Sequence, residues 1–218
     1  MPLRLAALCG LLAPVAFVLG VFLGDLAQPA AFSPADDNIS DLGALTATKP
    51  WLYNQVAANL TGLLILGLAA GLWVALGRSA LARLGVVALA VLGAGIFLDG
   101  LFRLDCQGID VACENDSWHS TAHRVEGGFT RVATVVAPVV LAFAFRRLPE
   151  WRRIWLPTLL AIPAAIVVGI PFSGLGTGAA TRATSVVLVL WIALLGFWLL
   201  RVASSEFRAE RATRPAGP

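Results

Sequence analysis

The chain has 218 residues, of which 58% are hydrophobic and 13% charged, with a mean hydropathy of +0.82. Soluble domains carry roughly 25% charged residues, so this sequence cannot cover a water-facing surface. Its length leaves no room for a separate soluble enzymatic domain. The net charge is only +3, and the basic residues lie beside apolar runs, which excludes a nucleic-acid surface.

Six stretches approach the roughly 20 apolar residues that a helix needs to cross the hydrocarbon. They cover residues 5–24, 56–76, 84–102, 129–145, 154–172 and 184–200. Each must be helical, because a span in lipid has to satisfy its own backbone hydrogen bonds. The expected fold is therefore all-α: a six-helix transmembrane bundle over residues 1–204, then a polar tail over 205–218 that begins as an interfacial helix. The first stretch follows Arg4 as a signal peptide would. Its apolar run is too long for one, and Asp25 and Pro29 disturb the cleavage zone, so it reads as an uncleaved first helix. The fourth stretch is short and carries Arg131, so its helix is expected to start earlier, near His119.

Arginine placement gives an orientation. Arg4, Arg78, Arg83, Arg146, Arg147, Arg152, Arg153, Arg201, Arg208, Arg211 and Arg214 fall on one side. The other side holds Asp25, Asp36, Asp37, Asp41, Asp105, Asp110, Glu114 and Asp116, against Lys49 and Arg103. Both termini are thus expected in the cytoplasm, in a plasma membrane, with the acidic loops outside. Two outer loops, near residues 25–51 and 103–122, exceed the usual connection length, which points to function on that face. The glycine pairs Gly20/Gly24 and Gly67/Gly71 suit close helix packing within the bundle.

Cys9 lies in the first span and reads as a packing residue. Cys106 and Cys113 share the second outer loop, where an oxidising compartment favours a disulfide. Their spacing is wider than that of zinc motifs.

The two histidines of the chain, His119 and His123, are i,i+4 neighbours if the fourth helix begins there. Glu126 and Thr130 continue that face into the membrane. Ionisable residues inside a span mark a functional site by default. Asp99 and Arg103 are also i,i+4, which suggests a local ion pair. Arg131 and Arg182 are further cations near the membrane, and Arg131 is an alternative partner for Asp99 or Glu126. In the first loop, Asn38, Ser40 and Asp41 have the types that cap a short helix; alternatively, Ser40 and Asp41 face the histidines at the mouth of the bundle. A zinc site is a further option, with His119, His123 and Asp105 as ligands, or with Glu126 or Asp41 in place of Asp105.

The six-span pattern resembles the family called domain of unknown function 998, six-helix membrane proteins of bacteria and archaea. The likeness rests on NISDLG at residues 38–43, GLFRLDC at 100–106 and SWHSTAH at 117–123. It runs from the first span to Arg182, and it implies Ser40, Asp41, Asp105, His123 and Arg182 as the positions of interest. A more distant likeness is to membrane hydrolases of the alkaline ceramidase and adiponectin receptor type. Those surround zinc with a Ser, an Asp and three His in seven spans, whereas this chain has six spans and two histidines.

The leading functional expectation is a bundle that binds a membrane lipid or small ligand at a polar extracytoplasmic site. That site comprises Ser40, Asp41, Asp99, Asp105, His119, His123, Glu126 and Arg182. A zinc-assisted membrane hydrolase acting on a lipid or amide is the alternative. A transporter is the third reading, and it has less support because the charges cluster at the outer ends and not at the midplane.

Overall fold

A computed structural model describes residues 2–77 and 79–213, with side chains to residue 204. Arg78 and residues 214–218, which include Arg214, lie outside the described residues, as do the side chains of Arg208 and Arg211. The described residues form six helical spans of 20 to 30 residues, long and apolar enough to cross a membrane. The protein is thus a multi-pass membrane protein.

Helix α1 covers Leu3–Ala27. The second span opens with a π-helix, Leu52–Leu60, that runs directly into α2, Thr61–Ala75. It therefore begins earlier than hydropathy alone predicts. Helix α3 is Ala80–Asp99, with the Ser79 side chain capping its start. Helix α4 is Trp118–Arg147. It starts next to His119, as expected, because Ser117 is its N-cap and accepts from the Ser120 N–H at 3.2 Å. The fifth span is broken: α5 is Trp155–Leu159 and α6 is Ala161–Ser173. Pro163 lacks the N–H that would bond back to Leu159, which accounts for the break at Leu160. Helix α7 runs Thr177–Thr213.

Neighbouring helices follow the order α4, α3, α2, α1, α7, α6, and the short α5 returns to α4. Small residues bring these backbones close, as membrane interfaces favour. A Cβ on Gly20 would lie 2.5 Å from the Ala57 nitrogen, and one on Gly62 would lie 2.4 Å from the Phe97 nitrogen. Gly20, Gly24 and Gly71 all face residues of the same chain, so they serve internal packing. The largest core cluster joins Ala6, Leu68, Leu89, Leu141, Phe145 and Leu195.

The ring of helices closes at the end carrying the chain termini. There Trp151 is buried and stacks on Phe145 at 5.0 Å, and α5 packs on α4. Helix α4 packs chiefly on α3 and only slightly on α6. Gly127 and Gly128, on α4, have open space where a side chain would stand.

The two long loops interlock over the opposite end. Leu45 N–H donates to the Leu104 carbonyl at 3.0 Å. The Gln107 side-chain amide donates to Gln28 at 3.0 Å and to the Asp41 carbonyl at 3.2 Å. Thr46 and the Gln107 N–H both donate to Asp110. The disulfide Cys106–Cys113 forms, with its Cα atoms 6.1 Å apart. Asn115 then braces the stapled loop by accepting from the N–H groups of Asp105 and Cys106.

Candidate functional site

The polar side chains inside the bundle gather beneath the interlocked loops. A chamber of about 230 Å³ is lined by Ser40, Tyr53, Asp99, His123, Glu126 and Arg131, with Phe17, Ala57, Ala58, Ile96, Gly127 and Thr130. Five elements supply its walls: α1, the 3-10 turn Ile39–Gly43, the π-helix, α3 and α4. π-turns are rare and concentrate at functional sites. Here the wide turn puts Tyr53, Ala57 and Ala58 on one wall. Two asparagines anchor it: Asn54 donates to the Gly43 carbonyl at 3.0 Å, and Asn59 donates to the Phe97 carbonyl at 2.6 Å. Gly100 is needed at the α3 terminus, since a Cβ there would lie 2.3 Å from the Asn54 carbonyl oxygen.

Asp99 is the hub. Its Oδ2 accepts from the Tyr53 hydroxyl at 2.5 Å, and its Oδ1 lies 3.3 Å from His123 Nδ1. His123 Nδ1 is also 2.8 Å from the Phe102 carbonyl oxygen. A carbonyl only accepts, so Nδ1 carries a proton, and Nε2 is the ring nitrogen left free to serve as a ligand in the neutral imidazole. Glu126 is buried and accepts from Thr130 at 3.0 Å. The expected Asp99–Arg103 ion pair does not form. Helix α3 stops at Asp99, so the two residues are not one turn apart, and Arg103 points to solvent.

His119 and Asp105 stand outside the chamber. The His119 ring lies against Trp118, 3.7 Å between centroids, and its Nδ1 is buried without a hydrogen-bond partner. Asp105 ties the second loop to the start of α4. Its Oδ2 accepts from Ser117 N–H and from the Ser120 hydroxyl, both at 3.0 Å. Hydrogen bonding from the Ser117 side chain first, then from its N–H and from Ser120, holds its carboxyl below the ordinary range. The convergent ligand-type set among the described residues is therefore Asp99, His123 and Glu126, with ligand atoms within 4.8 Å of one another. It is not His119, His123 and Asp105.

Ser40 and Asp41 diverge. Ser40 lines the chamber. Asp41 is buried in the loop layer, where its carboxylate accepts from the N–H groups of Asn38 at 3.3 Å and Gly108 at 3.4 Å. Burial pushes its carboxyl up from the ordinary value, against those two backbone bonds. The capping reading fits Asp41, and the mouth reading fits Ser40. Arg182 forms a two-point ion pair with Asp25, Nη2 to Oδ1 at 2.7 Å and Nε to Oδ2 at 3.0 Å, and also donates to the Asp37 carbonyl. It fastens the first loop to α7 and does not line the chamber.

Tyr53 was not singled out by sequence reasoning. The signal available was its being the only tyrosine, at the start of an otherwise apolar span. The apolar extension of the site was also invisible in sequence. A second cavity of about 180 Å³ lies deeper, walled by Ile65, Leu92, Leu188, Val189, Trp191 and Ile192. Phe17, Ile96 and Thr130 line both cavities. The first cavity is polar and lies below the loops; the second is apolar and is walled by residues of α1, α2, α3, α4 and α7.

The chain belongs to the family described as protein of unknown function (DUF998), whose pattern matches residues 11–198. Comparison with curated proteins and with solved structures gives no match.

Proposed function

We propose that this protein binds a single-headed amphipathic lipid from the outer leaflet of the plasma membrane, head in the polar chamber and chain in the apolar cavity. The observation that carries the reading is the sharing of Phe17, Ile96 and Thr130 by a polar and an apolar space. Ligand sites in bundles combine mostly apolar walls with a few convergent polar groups. The apolar cavity is walled in part by Thr130 and Thr134 of α4 and Leu188 of α7, and a chain would enter it from the bilayer between those two helices. Ser40 and Arg131, which line the chamber, supply donors for the head.

The arginine distribution in the sequence supports the orientation: eleven basic residues fall in the segments next to the terminal ends of the spans, and the acidic residues fall in the opposite loops. Tryptophans support the depth: Trp73, Trp155 and Trp198 sit under Arg83, Arg146 and Arg201 at one end, and Trp51 and Trp118 are exposed at the other. Such aromatic belts sit at headgroup level. A fluorescent reporter on the C-terminus is expected to fluoresce in the cytoplasm, and silence there with activity of a secreted reporter would reverse the topology.

The binding experiment is photo-crosslinking with a phospholipid bearing a diazirine in its acyl chain, in native-like vesicles. Adducts are expected on peptides containing Thr134 and Leu188, and they should vanish in Thr134→Trp. Labelling confined to the lipid-facing Phe129, Val132 and Val135, indifferent to that substitution, would overturn the reading. A second reading, hydrolysis of the bound lipid's ester or amide, draws on the presence of Ser40 and His123 in one chamber. Release of a fatty acid by wild type and not by His123→Ala would select it.

A further inference from the structure

The geometry points to a divalent transition-metal site formed by Asp99, His123 and Glu126 on the wall of the polar chamber, with zinc as the fitting ion. One ligand-type atom of each residue lies within 4.8 Å of those of the other two. Imidazole nitrogen and carboxylate oxygen are both zinc donors, and three protein ligands leave a fourth position open. That position would face the chamber, which all three residues line.

Charge gives the second argument. Asp99 and Glu126 stand side by side within membrane spans, where charges are normally paired. Among the described residues the ionisable partner of Asp99 is His123, 3.3 Å away, and no arginine or lysine forms an ion pair with either carboxyl. Arg182 is committed to Asp25, and Arg131, exposed on the chamber wall, forms no ion pair with either carboxyl. A divalent cation bound by both carboxylates would supply that balance.

The supporting shell is the third argument. Ligating histidines donate their other ring N–H to a carbonyl or carboxylate, and ligating carboxylates are themselves hydrogen-bonded. His123 Nδ1 faces the Phe102 carbonyl, Tyr53 donates to Asp99, and Thr130 donates to Glu126. All three candidate ligands are thus oriented by the residues around them. An ion here would receive an anionic head, a phosphate or a carboxylate. That role rests on the lipid reading above, whereas the presence of the ion does not.

The test uses the full chain in detergent, its affinity tag removed, stripped with chelator and then equilibrated with Zn²⁺ or, separately, Mn²⁺. Elemental mass spectrometry is expected to find about one ion per chain. Glu126→Gln and His123→Ala should lose it, and Tyr53→Phe should weaken affinity by at least about tenfold, the usual effect of removing an outer-shell partner. Arg103→Gln, at an exposed loop position, should match wild type. X-ray absorption on the zinc-loaded wild type should show one imidazole among oxygen ligands, a readout independent of whether the variants fold. Uptake of neither metal by wild type, full stoichiometry in both ligand variants, or sulfur or two imidazoles around the zinc would each overturn the site. Zinc without lipid adducts would leave the metal site standing and remove the lipid reading; lipid adducts without zinc would do the reverse.

Discussion

The Asp25–Arg182 pair allows a worked prediction. It joins α1 to α7 where the first loop leaves the membrane, with two contacts of 2.7 and 3.0 Å and side chains only 15% and 16% exposed. Arg182 also donates to the Asp37 and Gly178 carbonyls at 2.9 and 3.2 Å. Arg182→Ala strips Asp25 of its partner and frees the Asp37 carbonyl. Breaking one side of a buried pair costs about 3–5 kcal/mol. Asp25→Asn keeps the shape but removes the charge, and it should cost about 1.5–3 kcal/mol, the worth of charge-assisted hydrogen bonds. In the double variant no orphaned charge remains, so the costs should fall short of additivity by about 1–3 kcal/mol. Unfolding of the detergent-solubilised protein by sodium dodecyl sulfate, followed by tryptophan fluorescence, measures all three. Single costs below about 1 kcal/mol that simply add in the double variant would refute the claim that this pair holds the loop to the bundle.

Four further outcomes follow from the same geometry. Gly62→Ala would push a methyl onto the Phe97 nitrogen and the Gly93 carbonyl; since both are backbone, α2 and α3 must part, at about 1–3 kcal/mol in the same unfolding assay. Reduction of Cys106–Cys113, which closes a short loop with a sequence separation of 7, should remove about 2.5 kcal/mol by the chain-entropy relation, seen as a lower melting temperature with reductant. Asp105 has a folded-state pKa below its ordinary 3.8, so its contribution is complete above that value and is lost as pH falls through the folded one; Asp105→Asn should flatten the acid limb of the stability profile. Asp41 has the opposite sign, its folded pKa raised above 3.8 by burial. The folded state there binds protons more tightly, so stability declines as pH rises from 3.8 through the folded value, and Asp41→Asn should remove that decline in the same titration.

The six spans could be read from hydropathy because a lone helix in lipid leaves the sequence little choice. The early start of α4 was also legible, since Ser117 and Ser120 form a local cap. The π-turn was not. Its register depends on Asn54 and Asn59 reaching Gly43 and Phe97, contacts between segments that sequence spacing cannot pair. The partner of Asp99 was misassigned for a related reason: helical spacing suggested Arg103, but the helix ends at Asp99 and His123 arrives from α4. Of the histidine pair, sequence put both on one helix face. It could not show that His119 packs on Trp118 while His123 reaches the chamber. Ser40 and Asp41 illustrate the same limit, since neighbours in a 3-10 turn point to different surroundings.

Native mass spectrometry of the purified protein beside Thr134→Trp tests the central claim most directly. Thr134 lines the apolar cavity and not the polar chamber, so an indole there should exclude the chain and leave the polar cluster untouched. The account predicts one tightly held lipid on wild type, absent from the variant at equal thermal stability. Identical spectra, or loosely held lipids of every class on both proteins, would contradict it.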